Sequence, residues 1–278
     1  ILPLPEKWHG LQDMEERYRK RYLDILMDDS IRELFVKKSR FWKSIREFLT
    51  AKGFLEVETP ILELSPGGAD AEPFTTHLNA LDTDLYLRIA PELSLKRLLV
   101  AGFDKVFEIG RVFRNEGIDR EHLQDYTQLE FYWAYAGVNE LRPFVRELYQ
   151  KVISDTLGAL THQCGKTTVD WGGNWQTYDY YEYMKKHAGV DLSTINETAL
   201  RKHARELGLE PEGHIGWGRV VDLIFKKVVR PHLIEPGFLV NPPVEIEPLA
   251  KRVPGTPDKV QRIQVVACGT ELGKGFSE

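Results

Sequence analysis

The spacing of apolar residues changes period several times along this chain, and each change predicts an element. Residues 13–27 are charged and helical in spacing, and Ser30-Ile31-Arg32-Glu33 has the form of a capping box. The box predicts a helix to about Lys52, with Ile31, Leu34, Phe35, Trp42, Ile45 and Leu49 on one stripe and Gly53 as the glycine that ends it. The period then shortens. FLEVET (54–59) reads as a strand stopped by Pro60, which cannot donate to a ladder. Gly67-Gly68 marks a loop, 85–89 reads as a strand, and Pro91 to Ala101 reads as a helix closed by Gly102.

The most informative stretch follows, as two predicted strands at 105–115 and 125–135 around a polar loop. In the second strand Thr127, Leu129, Phe131, Trp133 and Tyr135 share one face, and Tyr126, Gln128, Glu130, Tyr132 and Ala134 share the other. The first face suits a core. The second places Glu130 and Tyr132 roughly 6–7 Å apart. Arg114 and Glu116 share a face of the first strand. A sheet offering an arginine, two glutamates and tyrosines can hold an anion and a cation side by side. The same alternation is also what a merely solvated face gives.

Residues 139–161 read as an amphipathic helix and 177–235 as mostly helical. A WGGNW turn lies in the same insert, near 150–235, which as a whole reads as mostly helical. GFLVN to Pro248 reads as strand and loop, and RIQVVACG (262–269) as a last strand before GTELGKGFSE. Strands paired by hairpins, with helices outside the strand runs, indicate an α+β fold built on an antiparallel β-sheet flanked by helices. The sequence has neither a GxxxxGK[ST] nor a GxGxxG loop, so a nucleotide would be held another way.

Composition narrows this only slightly. With 278 residues, 42% hydrophobic and 28% charged, the chain is of ordinary globular type. No apolar run reaches bilayer-spanning length. A net charge of −5 argues against a dominant nucleic-acid footprint, and the local run RYRKR (17–21) suits a solvated helix face. Cys164 and Cys268 lie far apart without metal-ligand spacing, which excludes a disulfide framework and makes a reducing cytosol the natural home. The chain starts with Ile and stops within a strand, so both ends read as cut.

KGFLEVETPIL (52–62) resembles motif 1 of the class II aminoacyl-tRNA synthetases, and FRNE (113–116) with the later TQLEFYWAY resembles motif 2. Within that class the chain is similar to the lysyl branch, through residues 2–26, 66–117, 243–252 and 269–278. The resemblance implies a linker at 1–29 that follows an OB domain not in this sequence. It implies a catalytic domain from 30 to 278 that stops before motif 3. The implied reaction is ATP-dependent activation of L-lysine to lysyl-adenylate, then transfer to tRNA(Lys), by a cytoplasmic homodimer joined through the motif 1 region around Pro60. A fragment lacking motif 3 is expected to adenylate poorly.

The resemblance also assigns residues. Arg114 would meet the α-phosphate and the substrate carboxylate. Glu116, His122 and Tyr126 would meet the rest of ATP, Tyr126 by stacking on adenine. Glu271 would bind Mg²⁺. Gln264 stands where the family often has a second acidic ligand, and it would offer a neutral oxygen. Gly68, Glu92 and Glu130 match the α-amino end of the amino acid, and Tyr132 and Glu278 its ammonium. Lys274 stands where an Asn usually holds the substrate carboxylate, and would contact it as a point charge. Other readings are a relative without an OB domain that attaches a lysine-type amino acid to a protein, and a non-catalytic regulatory relative. An aspartate or asparagine enzyme should carry cations where this pocket carries Glu92, Glu130 and Glu278.

Overall fold

In the computed structural model, residues 11–117 and 123–278 are described. The chain divides into two compact units, one of them Trp42–Tyr135 and the other made from the residues before and after it.

The flanking unit begins with helices α1 (Met14–Arg19) and α2 (Arg21–Met27), which break the predicted single helix at Lys20. The long helix α3 (Asp29–Ala51) follows, and the division between units falls within it. Its start differs from the predicted box. Ser30 lies inside the first turn, and both its N–H and its hydroxyl donate to the Asp28 carboxylate (2.9 and 2.6 Å). The predicted stripe also divides. Ile45 and Leu49 are buried, whereas Leu34 is 61% and Phe35 48% exposed.

The Trp42–Tyr135 unit holds β1 (Leu55–Glu56), β2 (Leu62–Glu63), β3 (Thr75–Leu78), β4 (Thr83–Leu87), α4 (Glu92–Val100), β5 (Lys105–Phe113) and β6 (Asp125–Trp133). The long hairpin forms as predicted, with Lys105 opposite Trp133 and Phe113 opposite Asp125. The rings of Phe131 and Trp133 pack edge-on against Phe54, beside buried Phe107. β6 ends two residues early, because the Ala134 N–H turns back to Asp104 and Tyr135 takes a left-handed conformation, fully exposed rather than on the core face. β1 is a two-residue strand paired in parallel with β5, so not every pairing is a hairpin.

The flanking unit continues with α5 (Val138–Leu157), where the Glu140 carboxylate accepts the Gly137 N–H and Gly158 ends the helix with positive φ. The region expected to be mostly helical contains three strands, β7 (Thr161–Cys164), β8 (Thr167–Asp170) and β9 (Gln176–Asp179). Helices α6 (Tyr180–Ala188), α7 (Glu197–Glu206) and α8 (Trp217–Ile224) come after them. Then follow β10 (Gly237–Val240), β11 (Arg252–Val253), β12 (Thr256–Val260), β13 (Arg262–Ala267) and β14 (Thr270–Phe276). The four-stranded sheet has the order β14-β13-β10-β9, with β10 and β9 parallel. Its apolar core joins Leu239 and Val266 of the sheet to Tyr180, Leu200, Val220 and Phe225. Trp171 and Trp175 of the WGGNW turn pack around Tyr149. Beside them Cys164 and Cys268, 104 residues apart, are joined as a disulfide. This corrects the expectation of unlinked thiols, since the fold brings the end of β7 to the turn after β13.

Among the described residues, no helix is long and apolar enough to cross a membrane.

Candidate active site

Two groups of candidate residues occur, one in each unit.

The first lies on the hairpin and the elements beside it. The β5–β6 register sets Val106 opposite Tyr132, Glu108 opposite Glu130, Gly110 opposite Gln128 and Val112 opposite Tyr126, so these side chains share a face. The β5 half of that face is sealed, because Val106, Glu108 and Val112 are buried. The β6 half carries the candidates. Glu130 accepts hydrogen bonds from the Tyr132 phenol (3.1 Å) and the Gln128 amide (2.8 Å). Glu92, in the first turn of α4, is paired with Lys96 at 2.9 Å. Gly68 packs against that residue: a Cβ there would lie 2.8 Å from the Glu92 Cβ, and its φ of +83° also favours glycine.

Arg114 and Glu116 lie beyond the end of β5. The Arg114 guanidinium stands 5.5 Å from the Tyr126 ring centroid, and its Nε donates to the Ile89 carbonyl (3.4 Å). Glu116 is exposed, with its carbonyl and that of Gly117 near the Gln124 amide. His122 lies outside the described residues.

The two directly opposed carboxylates sit in different surroundings. Glu108 is held by Arg88 at 2.6 Å and by the Thr59 hydroxyl at 2.6 Å. For Glu130, burial drives the pKa up to about 7, and Glu92 pushes the same way, while Tyr132, Arg114 and Lys96 act against the rise. Burial also raises the Tyr126 phenol.

The Glu130 shift predicts a pH dependence. A carboxyl group with a raised folded pKa stabilises the fold fully below its unfolded range, and that contribution is lost as pH rises through the folded value. The ligand-free protein should therefore lose up to about 3 kcal/mol between pH 5 and pH 8 through this one group. Glu130→Gln should remove that part of the slope. Urea midpoints of both forms at the two pH values measure it, and parallel pH profiles would contradict the assignment.

The second group lies on β13 and β14. Gln264 pairs with Lys274 across the ladder, and a bulge between Val265 and Val266 sets Glu271 opposite Val266. The Gln264 Nε2 donates to Glu271 Oε2 at 2.6 Å, and its Oε1 accepts from the Arg262 guanidinium. Arg230 reaches Glu271 Oε1 at 3.6 Å. Lys274 is held by Glu247 at 2.9 Å, and the same carboxylate lies 3.8 Å from Arg262. Glu278 is exposed and follows buried Ser277, whose hydroxyl accepts the Val138 N–H and whose backbone bonds Lys251 and Gln261.

The sequence reading did not anticipate Glu247, Arg262, Arg230, Arg88 or Glu108 in these groups. Glu247 sits in a segment already singled out (243–252), but nothing in that segment names its partner. The Gln264 amide oxygen, expected to be available to a metal, is engaged by Arg262.

A family model for class II tRNA synthetases (D, K and N) matches residues 13–278. The chain is 46% identical over 281 residues to the lysine–tRNA ligase of Pelotomaculum thermopropionicum, covering all of this chain and 56% of that protein. It is 46% identical over 279 residues to the lysine–tRNA ligase of Carboxydothermus hydrogenoformans, covering 57% of it. It is 45% identical over 280 residues to that of Cronobacter sakazakii, covering 55%. The chain thus spans about half the length of the curated relatives it matches.

Proposed function

Because the chain belongs to the class II tRNA synthetases (D, K and N), we propose that it supplies the amino-acid-activating part of a lysine–tRNA ligase. That enzyme converts L-lysine and ATP to lysyl-adenylate and pyrophosphate, and passes the lysyl group to tRNA(Lys). The observation that carries the choice of lysine is the similarity to lysine–tRNA ligases along the whole chain. Glu92 and Glu130 lie together on the face of β6 and α4, where Tyr132 donates to Glu130 and Lys96 pairs with Glu92. Acidic groups so placed suit the ammonium of an amino acid.

The lysine carboxylate is already ionised near neutral pH, so its attack on the α-phosphorus needs no general base. What remains is positioning and charge neutralisation. Arg114 is assigned to the α-phosphate, with Tyr126 stacked on adenine and Glu116 and His122 also contacting the nucleotide. Glu92, Glu130 and the Gly68 backbone are assigned to the α-amino group. Tyr132 and Glu278 are assigned to the side-chain ammonium, and Lys274 to the neighbourhood of the carboxylate.

Glu271 is the carboxylate for Mg²⁺. Its side chain is partly exposed, and Mg²⁺ commonly takes one or two carboxylates with phosphate and water completing its shell, so the residues present fit the ion. Bound there with ATP, Mg²⁺ would neutralise phosphate charge. A homodimer goes with this reading, and the exposed Leu34, Phe35 and Val36 of α3 are apolar surface of the kind a second copy would cover. A cytoplasmic location also goes with it.

The test is ATP–pyrophosphate exchange by the full-length protein with lysine or aspartate as the driving amino acid, and with Glu278→Gln as a variant. Lysine-dependent exchange that falls sharply in the variant is expected. Exchange driven by aspartate, or by neither, would contradict the reading.

A further inference from the structure

The Gln264–Glu271 contact says more about the metal than the presence of Glu271 does. An arginine can only donate hydrogen bonds and a carboxylate can only accept them. Gln264 stands between one of each, so its amide has a single consistent orientation, Oε1 toward Arg262 and Nε2 toward Glu271 Oε2 at 2.6 Å. A carboxylate at position 264 would set two anionic oxygens at this distance, which requires a proton or a cation between them. The amide supplies an N–H there instead.

The surrounding charge points the same way. Arg230 lies 3.6 Å from Glu271 Oε1, and Lys274 and Arg262 share the single carboxylate Glu247 at 2.9 and 3.8 Å. Three cationic side chains thus accompany two carboxylates. Among the described residues, no group of three His, Cys, Asp or Glu could hold a metal ion.

We infer that the Gln264 amide takes the place of a bridging divalent cation, so that Glu271 holds one ion and position 264 holds none. The inference rests on the assignment of ATP and Mg²⁺ above and specifies the metal count for it. It also accounts for Lys274 on the strand opposite: a site with one carboxylate fewer tolerates an ammonium two strand positions from Glu247's other cation without a second metal nearby.

The test uses the full-length protein with Mn²⁺ and adenosine 5′-(α,β-methylene)triphosphate, freed of unbound nucleotide. Bound Mn²⁺ per retained nucleotide is counted by electron paramagnetic resonance. Gln264→Glu is expected to retain one more Mn²⁺ per nucleotide than the native protein, and Glu271→Gln one fewer. Equal counts for the native protein and Gln264→Glu, or a loss of two ions in Glu271→Gln, would overturn the inference. If Gln264→Glu does not fold, the Glu271→Gln count decides alone. Failure of every form to retain nucleotide would overturn the ATP assignment itself, and the inference with it.

Discussion

Arg114→Ala is expected to lower lysine-dependent ATP–pyrophosphate exchange by roughly 10²–10³-fold, the usual cost of removing one donor aimed at developing charge. The geometry says why this arginine in particular is sensitive. Its guanidinium carbon stands 5.5 Å over the Tyr126 ring and its Nε is directed at the Ile89 carbonyl, which leaves the terminal nitrogens as the edge suited to fork onto an oxyanion. Arg114→Lys keeps the charge but loses the fork. It should recover only part of the rate. Full recovery by lysine would show that only charge matters at this position, and an unchanged rate in Arg114→Ala would remove the residue from the reaction.

The hairpin that leads to Arg114 was legible from sequence because alternation along a strand is a local property. Of the residues assigned to the core face of β6, Phe131 and Trp133 pack on Phe54 while Tyr135 turns out to solvent, and of those assigned to the other face Gln128 and Tyr132 bond Glu130. The helical stripe on α3 was legible in the same way but only half of it is covered, since periodicity marks an apolar face without saying what lies against it. Contacts made across the fold left no such trace. The Lys274–Glu247 pair joins residues 27 apart, and the Gln264–Glu271 contact depends on a bulge in the β13–β14 ladder. The Cys164–Cys268 link depends on where a hairpin in the insert meets a turn of the sheet. Glu108 reads in sequence as one more polar residue of an alternating strand, and only the structure shows it buried against Arg88.

That buried pair carries the largest expected effect on stability. Arg88 is 2% and Glu108 3% exposed, 2.6 Å apart. Arg88 also donates from Nε to the Arg111 carbonyl and from Nη1 to the Thr59 carbonyl and hydroxyl, and its own carbonyl accepts the Phe113 N–H. The chain leaves room for this cluster at Gly110, where an added Cβ would come 2.7 Å from Glu108 Oε1 and closer still to the guanidinium. Glu108→Ala strands a buried guanidinium and should cost about 3–5 kcal/mol. Replacing both partners with apolar residues, as in Arg88→Met with Glu108→Leu, should cost less than the single change, because no unpaired charge remains. Hydrogen exchange of the β5 and β6 amides in the full-length protein reads the effect locally. A loss below about 1 kcal/mol in Glu108→Ala would mean that solvent reaches Arg88 and that the pair is not the clamp it looks to be. The same cluster bonds the backbone at Arg111 and Phe113, immediately before Arg114, so Glu108→Ala should also slow pyrophosphate exchange. If the double replacement restores stability but not exchange, the pair is fixing the position of Arg114 as well as holding the fold.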